Sequence, residues 1–164
     1  MSFEETVDWF RMLFLDQMLP IFQGAFRGVV GEVQEKPREG MGAELVSDFD
    51  RKVEDSYRSL LALAFPEDAV LGEERGGVWP PLNRRTWIVD PWDGTHNGLA
   101  GLPTFGTMCA LVEDGMVVFS TIFLPAQQLL AENGIFVAGR GYGAWRIASK
   151  SPTEYFRFEK QVQR

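Results

Sequence analysis

Cysteine is nearly missing from this chain: Cys109 is the only one in 164 residues. A single cysteine excludes an internal disulfide framework, which fits a reducing cytoplasm. Long apolar runs are missing too. No stretch reaches the ~18 uninterrupted apolar residues of a membrane helix. The opening MSFEETVDWF has neither the basic nor the apolar region of a signal peptide. Positive charge is in deficit, with 16 Lys and Arg against 23 Asp and Glu, a net charge of -7. Nucleic acid and anionic membrane both reward basic patches, so neither is expected as the main partner. Histidine is limited to His96, and no aspartate follows Asp114. The sequence carries no internal repeat and no low-complexity tract.

What is present has an ordinary globular balance: 45% apolar and 24% charged residues. The length suits one domain or most of one. A chain of this size buries roughly 70% of its unfolded surface, so it needs no disulfide or metal merely to fold.

Ser2 and Glu5 form a capping-box pattern. Phe3, Val7, Phe10, Phe14, Met18 and Ile21 then recur at three- and four-residue steps, which predicts an amphipathic helix that kinks or ends near Leu19, before Pro20. The polar, glycine-bearing segment Glu35–Glu44 reads as a mobile loop. A second helix starts at Ser47 or Asp48, with Phe49, Val53, Tyr57, Leu60, Leu61 and Ala64 as its apolar stripe and Pro66 as its stop. AVLGEE reads as a short strand entering a loop, and TWIVD as a buried strand that stops at Pro91. FGTMCALVEDGMVVFSTIFL predicts two strands joined at Asp114-Gly115. QLLAENGIFVAGRGYGAWRIA adds short strands broken by glycines. Two helices before a strand meander predict an α+β fold, with helices packed on a mainly antiparallel sheet.

The chemistry-bearing residues are acids. Asp90 and Asp93 stand three residues apart on the turn that Pro91 fixes. Two uncompensated carboxylates that close repel, and each raises the other's pKa. A hard divalent cation removes the conflict, and Mg²⁺ prefers oxygen ligands with positions left for water and phosphate. The turn also exposes the carbonyl of Trp92. Gly94 lets a ligand approach the backbone, and a helix starting there would point free N–H groups at it. Such a pairing of cation and anion sites is the equipment for transferring a phosphoryl group to water. Glu73, at the end of another strand, is placed to bind metal and orient the attacking water.

VSDFDRKVE, LGEE and WIVDPWDGTHN, in that order, resemble the N-terminal motifs of the inositol monophosphatase family, the lithium-sensitive Mg²⁺-dependent phosphatases. The resemblance runs from the first helix to about Ile147, where GRGYGAW resembles the family's glycine turn. It implies a layered α/β sandwich of the inositol monophosphatase and fructose-bisphosphatase type. Residues 1–150 would be its N-terminal metal- and phosphate-binding subdomain and 151–164 a polar tail. It further implies Mg²⁺ as cofactor, a small phosphorylated alcohol such as inositol monophosphate as substrate, and a homodimer. Residue by residue, Glu73 corresponds to a metal-binding glutamate that shares the nucleophilic water with Thr95. Asp90 corresponds to a ligand common to two metals, Trp92 to a carbonyl ligand, and Asp93 to a ligand that also meets substrate. Gly94 and Thr95 correspond to the phosphate cradle, and Asp50 to the acid behind the threonine. Lys36 falls near a lysine of the family's mobile loop, and Glu74 is the second glutamate of the pair.

Three departures stand out. Trp92 replaces the usual small aliphatic residue of D-P-I/L-D-G-T-x-N-F, and Gly98 replaces its phenylalanine. The expected consequence of the second change is a looser helix or an opened pocket. The family's later W-D motif, whose aspartate completes the metal cluster, has no counterpart, since Trp145 precedes Arg146. The alternative reading is therefore a truncated, catalytically impaired relative that serves as an oligomerising or interaction module. His96 adjoins the motif, but the family needs no histidine there. Cys109 reads as a buried small hydrophobe, GRGYG as a turn, and the tryptophans as core.

Overall fold

The computed structural model describes residues 1–36, 44–76, 84–147 and 155–157. Helix α1 (Phe3–Met12) starts with the reciprocal cap written in its sequence. The Ser2 hydroxyl accepts the Glu5 N–H at 3.2 Å, and the Glu5 carboxylate accepts the Ser2 N–H at 2.7 Å. The helix does not end before Pro20. It widens into a π-helical stretch, Leu13–Met18, and resumes as α2 (Leu19–Ala25), with the Leu19 N–H reaching back to the Phe14 carbonyl. Proline has no N–H and its ring crowds the carbonyl four residues back, so a widened turn ahead of it keeps the helical course. The extra residue also shifts the phase of the apolar stripe. Phe22, fully buried, takes the place that regular spacing gave to Ile21.

Strands β1 (Val33–Lys36) and β2 (Glu44–Ser47) pair antiparallel. Glu35, Lys36 and Glu44, read from sequence as loop, are therefore strand residues, and 37–43 lie outside the described residues. Helix α3 (Asp48–Ala64) follows directly. Then come β3 (Ala69–Gly72), β4 (Thr86–Asp93), α4 (Thr95–Leu99), β5 (Gly106–Glu113), β6 (Met116–Phe123), α5 (Pro125–Ala131), β7 (Ile135–Gly139), β8 (Gly143–Ile147) and β9 (Tyr155–Arg157). Strands β3 to β9 lie in chain order in one sheet. Only β3 and β4 run parallel among these described strands.

Strand β4 does not stop at Pro91 but runs to Asp93. Between Asp90 and Asp93 the partner on β5 moves only from Met108 to Gly106, so β4 carries one extra residue there. A bulge leaves one backbone N–H out of the ladder, and proline has none to lose. The β5–β6 turn is as expected, with Asp114 and Gly115 both at positive φ, 50° and 72°. Gln128–Ala131 is helical, not strand: Pro125 opens α5 at a first-turn position that suits its fixed φ. Within the stretch 151–164, read as a polar tail, Tyr155–Arg157 pairs with β8 as an edge strand.

The core lies between the helices and one face of the sheet. Phe10 contacts Trp87 at 5.4 Å between ring centres, and Phe14 stacks on Phe123 at 4.9 Å. Trp92 belongs to this core, 2% exposed and edge-on to Phe49 at 4.7 Å. Its indole explains the two departures in the motif together. A Cβ placed on Gly98 would overlap the Trp92 ring. The tryptophan thus fills space next to residue 98, and the glycine makes room for it.

Gly98→Ala is expected to lower the unfolding free energy by about 1–3 kcal/mol through overpacking. With Trp92→Leu in the same chain, the two costs should combine to less than their sum, as read by denaturant melts of both single variants and the double variant. Additive costs would mean that the two side chains do not share the space.

Candidate metal and phosphate site

The parallel pair places the acids. Strands β3 and β4 end at the same sheet edge, with Gly72 beside Val89 in register. The Glu73 N–H donates to the Val89 carbonyl at 3.2 Å, so Glu73 arrives next to Asp90. The bulge after Asp90 then turns the chain and brings Asp93 to the same edge.

Asp90 is half-buried, and its carboxyl is pushed up to about 7. Burial is the largest cause, followed by the charges of Glu73 and Asp93 and a side-chain hydrogen bond with Glu73. The Trp92 N–H opposes the shift. One oxygen of Asp90, Oδ1, is buried and accepts no hydrogen bond. A buried carboxylate oxygen without a donor is costly, so it calls for an explanation.

A second group is built on the start of α3. Ser47 caps the helix and Asp50 stands at its third position. Asp50 Oδ2 accepts the Ser47 N–H at 2.7 Å and the Ser47 hydroxyl at 2.6 Å. Asp50 Oδ1 accepts the Thr95 hydroxyl at 3.1 Å. Burial raises the Asp50 pKa, and these bonds to Ser47 and Thr95 oppose it. The Thr95 hydroxyl also lies 2.8 Å from the Trp92 carbonyl. It has one proton, so it serves one acceptor at a time. Sequence reasoning named Ser47 only as a helix start. Its larger role is to tie Asp50 in place, and the S-x-x-D spacing was the available signal.

Gly94 leads into α4 with φ 81°, and a Cβ there would lie 2.9 Å from the Thr104 carbonyl, so glycine is required. Within α4 the first carbonyl to be used, that of Gly94, accepts the Gly98 N–H at 3.1 Å. The N–H groups of Thr95, His96 and Asn97 precede it and have no acceptor within the helix. The Lys36 ammonium donates to the Glu73 carbonyl at 3.1 Å and pairs with Glu74 at 3.5 Å. Glu74 is therefore committed to Lys36. Asp93 is exposed and borders an open cleft of about 610 Å³ lined by Phe105, Leu124, Gln127 and Leu130.

The structure thus brings Glu73, Asp90 and Asp93 to one edge, and joins Asp50, Thr95 and the Trp92 carbonyl by hydrogen bonds. Among the described residues, no three acidic, histidine or cysteine side chains already stand as a group that could hold a metal ion. The donors are nonetheless all oxygen, and one of them is a buried carboxylate oxygen lacking any partner. That set fits a hard cation such as Mg²⁺. His96 is exposed. Cys109 is buried, and burial pushes its thiol far above the ordinary range, so it is no nucleophile.

The family model described as the inositol monophosphatase family matches residues 10–159. A histidinol-phosphatase of Mycobacterium tuberculosis is 42% identical over 100 residues, covering 61% of this chain and 36% of the relative. An inositol-1-monophosphatase of Mesorhizobium japonicum is 40% identical over 117 residues, covering 70% of this chain and 42% of the relative. The crystal structure of an IMPase/NADP phosphatase complexed with Mg²⁺ and phosphate superimposes with a TM-score of 0.69 at 21% identity, over 90% of this chain and 53% of that one. The chain thus spans about half of that solved structure and less than half of the two curated relatives.

The raised Asp90 pKa sets a sign for stability. The folded chain holds a proton that the unfolded chain releases near pH 4, so the stability this proton gives is lost as pH climbs from about 4 to about 7, and the loss levels off above that. Without divalent cations, the thermal midpoint is expected to fall between pH 5 and pH 8. Asp90→Asn should flatten that slope and raise the midpoint at pH 8. A slope unchanged by the substitution would remove Asp90 as its source.

Proposed function

The chain belongs to the inositol monophosphatase family, and from that premise we propose that it carries the metal- and phosphate-binding half of a Mg²⁺-dependent phosphoric monoester hydrolase. The substrate class is a small phosphorylated alcohol, such as inositol monophosphate. The observation that carries this reading is the Asp90 carboxyl, which feels the charges of both Glu73 and Asp93 and keeps one buried oxygen that accepts no hydrogen bond. Relatives named as phosphatases with different substrates support the reaction class more than any one substrate.

Glu73, Asp90, Asp93 and the Trp92 carbonyl would hold the cation, which when bound lowers the pKa of an attacking water and draws charge from the phosphoryl oxygens. Loading requires Asp90 to release its proton. With the Trp92 carbonyl engaged, the Thr95 proton goes to Asp50 Oδ1. The lone pairs of the Thr95 oxygen then accept from a water, and Glu73 accepts its other hydrogen. Asp50 acts through Thr95 as a positioning residue. The N–H groups that open α4 receive phosphate oxygens, with Gly94 keeping the approach clear. Inhibition by lithium, a homodimeric assembly and a cytoplasmic location belong to the same proposal. No described helix is long and apolar enough to cross a membrane.

A second reading has its own observation. The cleft beside Asp93 is largely apolar, and Leu130 at its rim is 87% exposed. Such a surface suits contact with another polypeptide, so the chain would be an interaction module that binds without turnover.

Because Asp90 must lose its proton, Mg²⁺ affinity measured by calorimetry should rise about tenfold per pH unit below 7 and level off above it. A flat profile would show that Asp90 carries no proton to displace in this range, and loss of binding in Asp90→Asn then decides whether it is a ligand. Phosphate release from inositol 1-phosphate by the 164-residue chain should depend on Mg²⁺ and fall at least 100-fold in Asp93→Asn, with circular dichroism unchanged. Retained turnover in that variant refutes the assignment. Mg²⁺ binding without turnover in the parent chain favours the second reading.

A further inference from the structure

Glu54 has no place in the chemistry above, yet its side chain is fully buried, 0% exposed. It stands on α3 one turn after Asp50, on the same face of the helix. Its carboxylate accepts the Glu74 N–H at 2.7 Å and the Arg75 N–H at 3.1 Å to one oxygen and 3.2 Å to the other. Arg58, one turn further along, donates to it at 2.8 Å. The same guanidinium reaches the Val70 carbonyl at 3.1 Å and the Gly76 carbonyl at 2.7 Å. The pair, buried at Glu54 and part-exposed at Arg58, therefore grips the backbone on both sides of Glu73. Its fit against β3 is tight, because a Cβ on Gly72 would overlap the Glu54 carboxylate.

A buried ion pair is weak evidence for stability, since apolar residues of similar size often serve as well. What distinguishes this one is where its bonds go. Apart from the link between its two members, their side-chain hydrogen bonds among the described residues all end on backbone between Val70 and Gly76, the segment that presents Glu73. We propose that Glu54, backed by Arg58, is a positioning residue that fixes this backbone and so holds Glu73 beside Asp90. Helix α3 then carries both supports of the site, Asp50 for Thr95 and Glu54 for Glu73. The inference rests on the reading of Glu73 as a metal ligand.

The test combines Mg²⁺ calorimetry with amide hydrogen exchange on the full chain. In Glu54→Gln the Glu74 and Arg75 amides should exchange at least tenfold faster, while amides in β4 and β5 keep their protection. Mg²⁺ affinity should fall about tenfold, the size expected when a group that orients a ligand is removed. In a Glu73→Gln background the same substitution should cost no further affinity, which a general loss of stability would not reproduce. Gly72→Ala, which crowds the carboxylate without removing a charge, should give the same pattern and replaces Glu54→Gln if that variant does not fold. Parent-like affinity or parent-like exchange in a folded variant overturns the inference alone, as does an equal loss in the Glu73→Gln background. Absence of Mg²⁺ binding in the parent chain overturns the metal reading and this inference with it.

Discussion

Like charges held together against their repulsion are the constraint on which this structure turns. Two carboxylates about 4 Å apart near a protein surface repel by roughly 4 kcal/mol. The parallel pairing of β3 and β4 creates the problem by ending both strands at one edge with an acid on each. The bulge at Pro91 adds a third acid. Part of the repulsion is relieved by a proton, which Asp90 keeps to about pH 7. The rest is held by scaffold.

That scaffold is α3 and the aromatic core. The helix is anchored at its start by the Ser47–Asp50 cap, and the same Asp50 reaches across to Thr95. The core holds the motif from below through Trp92, packed against Phe49 and Phe105. Loops on their own would move apart under such charge. Loops tied to a 17-residue helix and a core tryptophan can stay strained until a cation takes up the charge. The same economy of parts explains why the motif's carbonyl, hydroxyl and carboxylates are contiguous in sequence: a bulged strand end delivers all of them within a few residues.

Much of this was legible from residues alone, where a local rule and the tertiary context agree. The α+β class, the cap at Ser2, the start of α3 and the turn at Asp114-Gly115 are such cases. Legibility failed where context overrode the local rule. Pro20 signals a helix end, but a π-helical stretch absorbed it. Pro91 signals a strand end, but a bulge made its missing N–H harmless. Gln128–Ala131 borrowed strand character from its neighbours, while Pro125 was the cue for helix. At the site, the order of acids named the right residues to compare, but distances between them depend on sheet register. No spacing rule shows that Asp90 keeps an oxygen without a partner. Nor does any show that Trp92 and Gly98 are two sides of one packing solution.

The central claim is that Glu73, Asp90, Asp93 and the Trp92 carbonyl form one divalent-cation site. Crystals of the chain soaked in Mn²⁺ and measured near the manganese edge test it most directly. The account predicts an anomalous difference peak within about 2.5 Å of Asp90 Oδ1, with oxygen from Glu73 or Asp93 in the same shell. A well-ordered crystal with no peak at that edge, or with manganese bound only elsewhere, would contradict it.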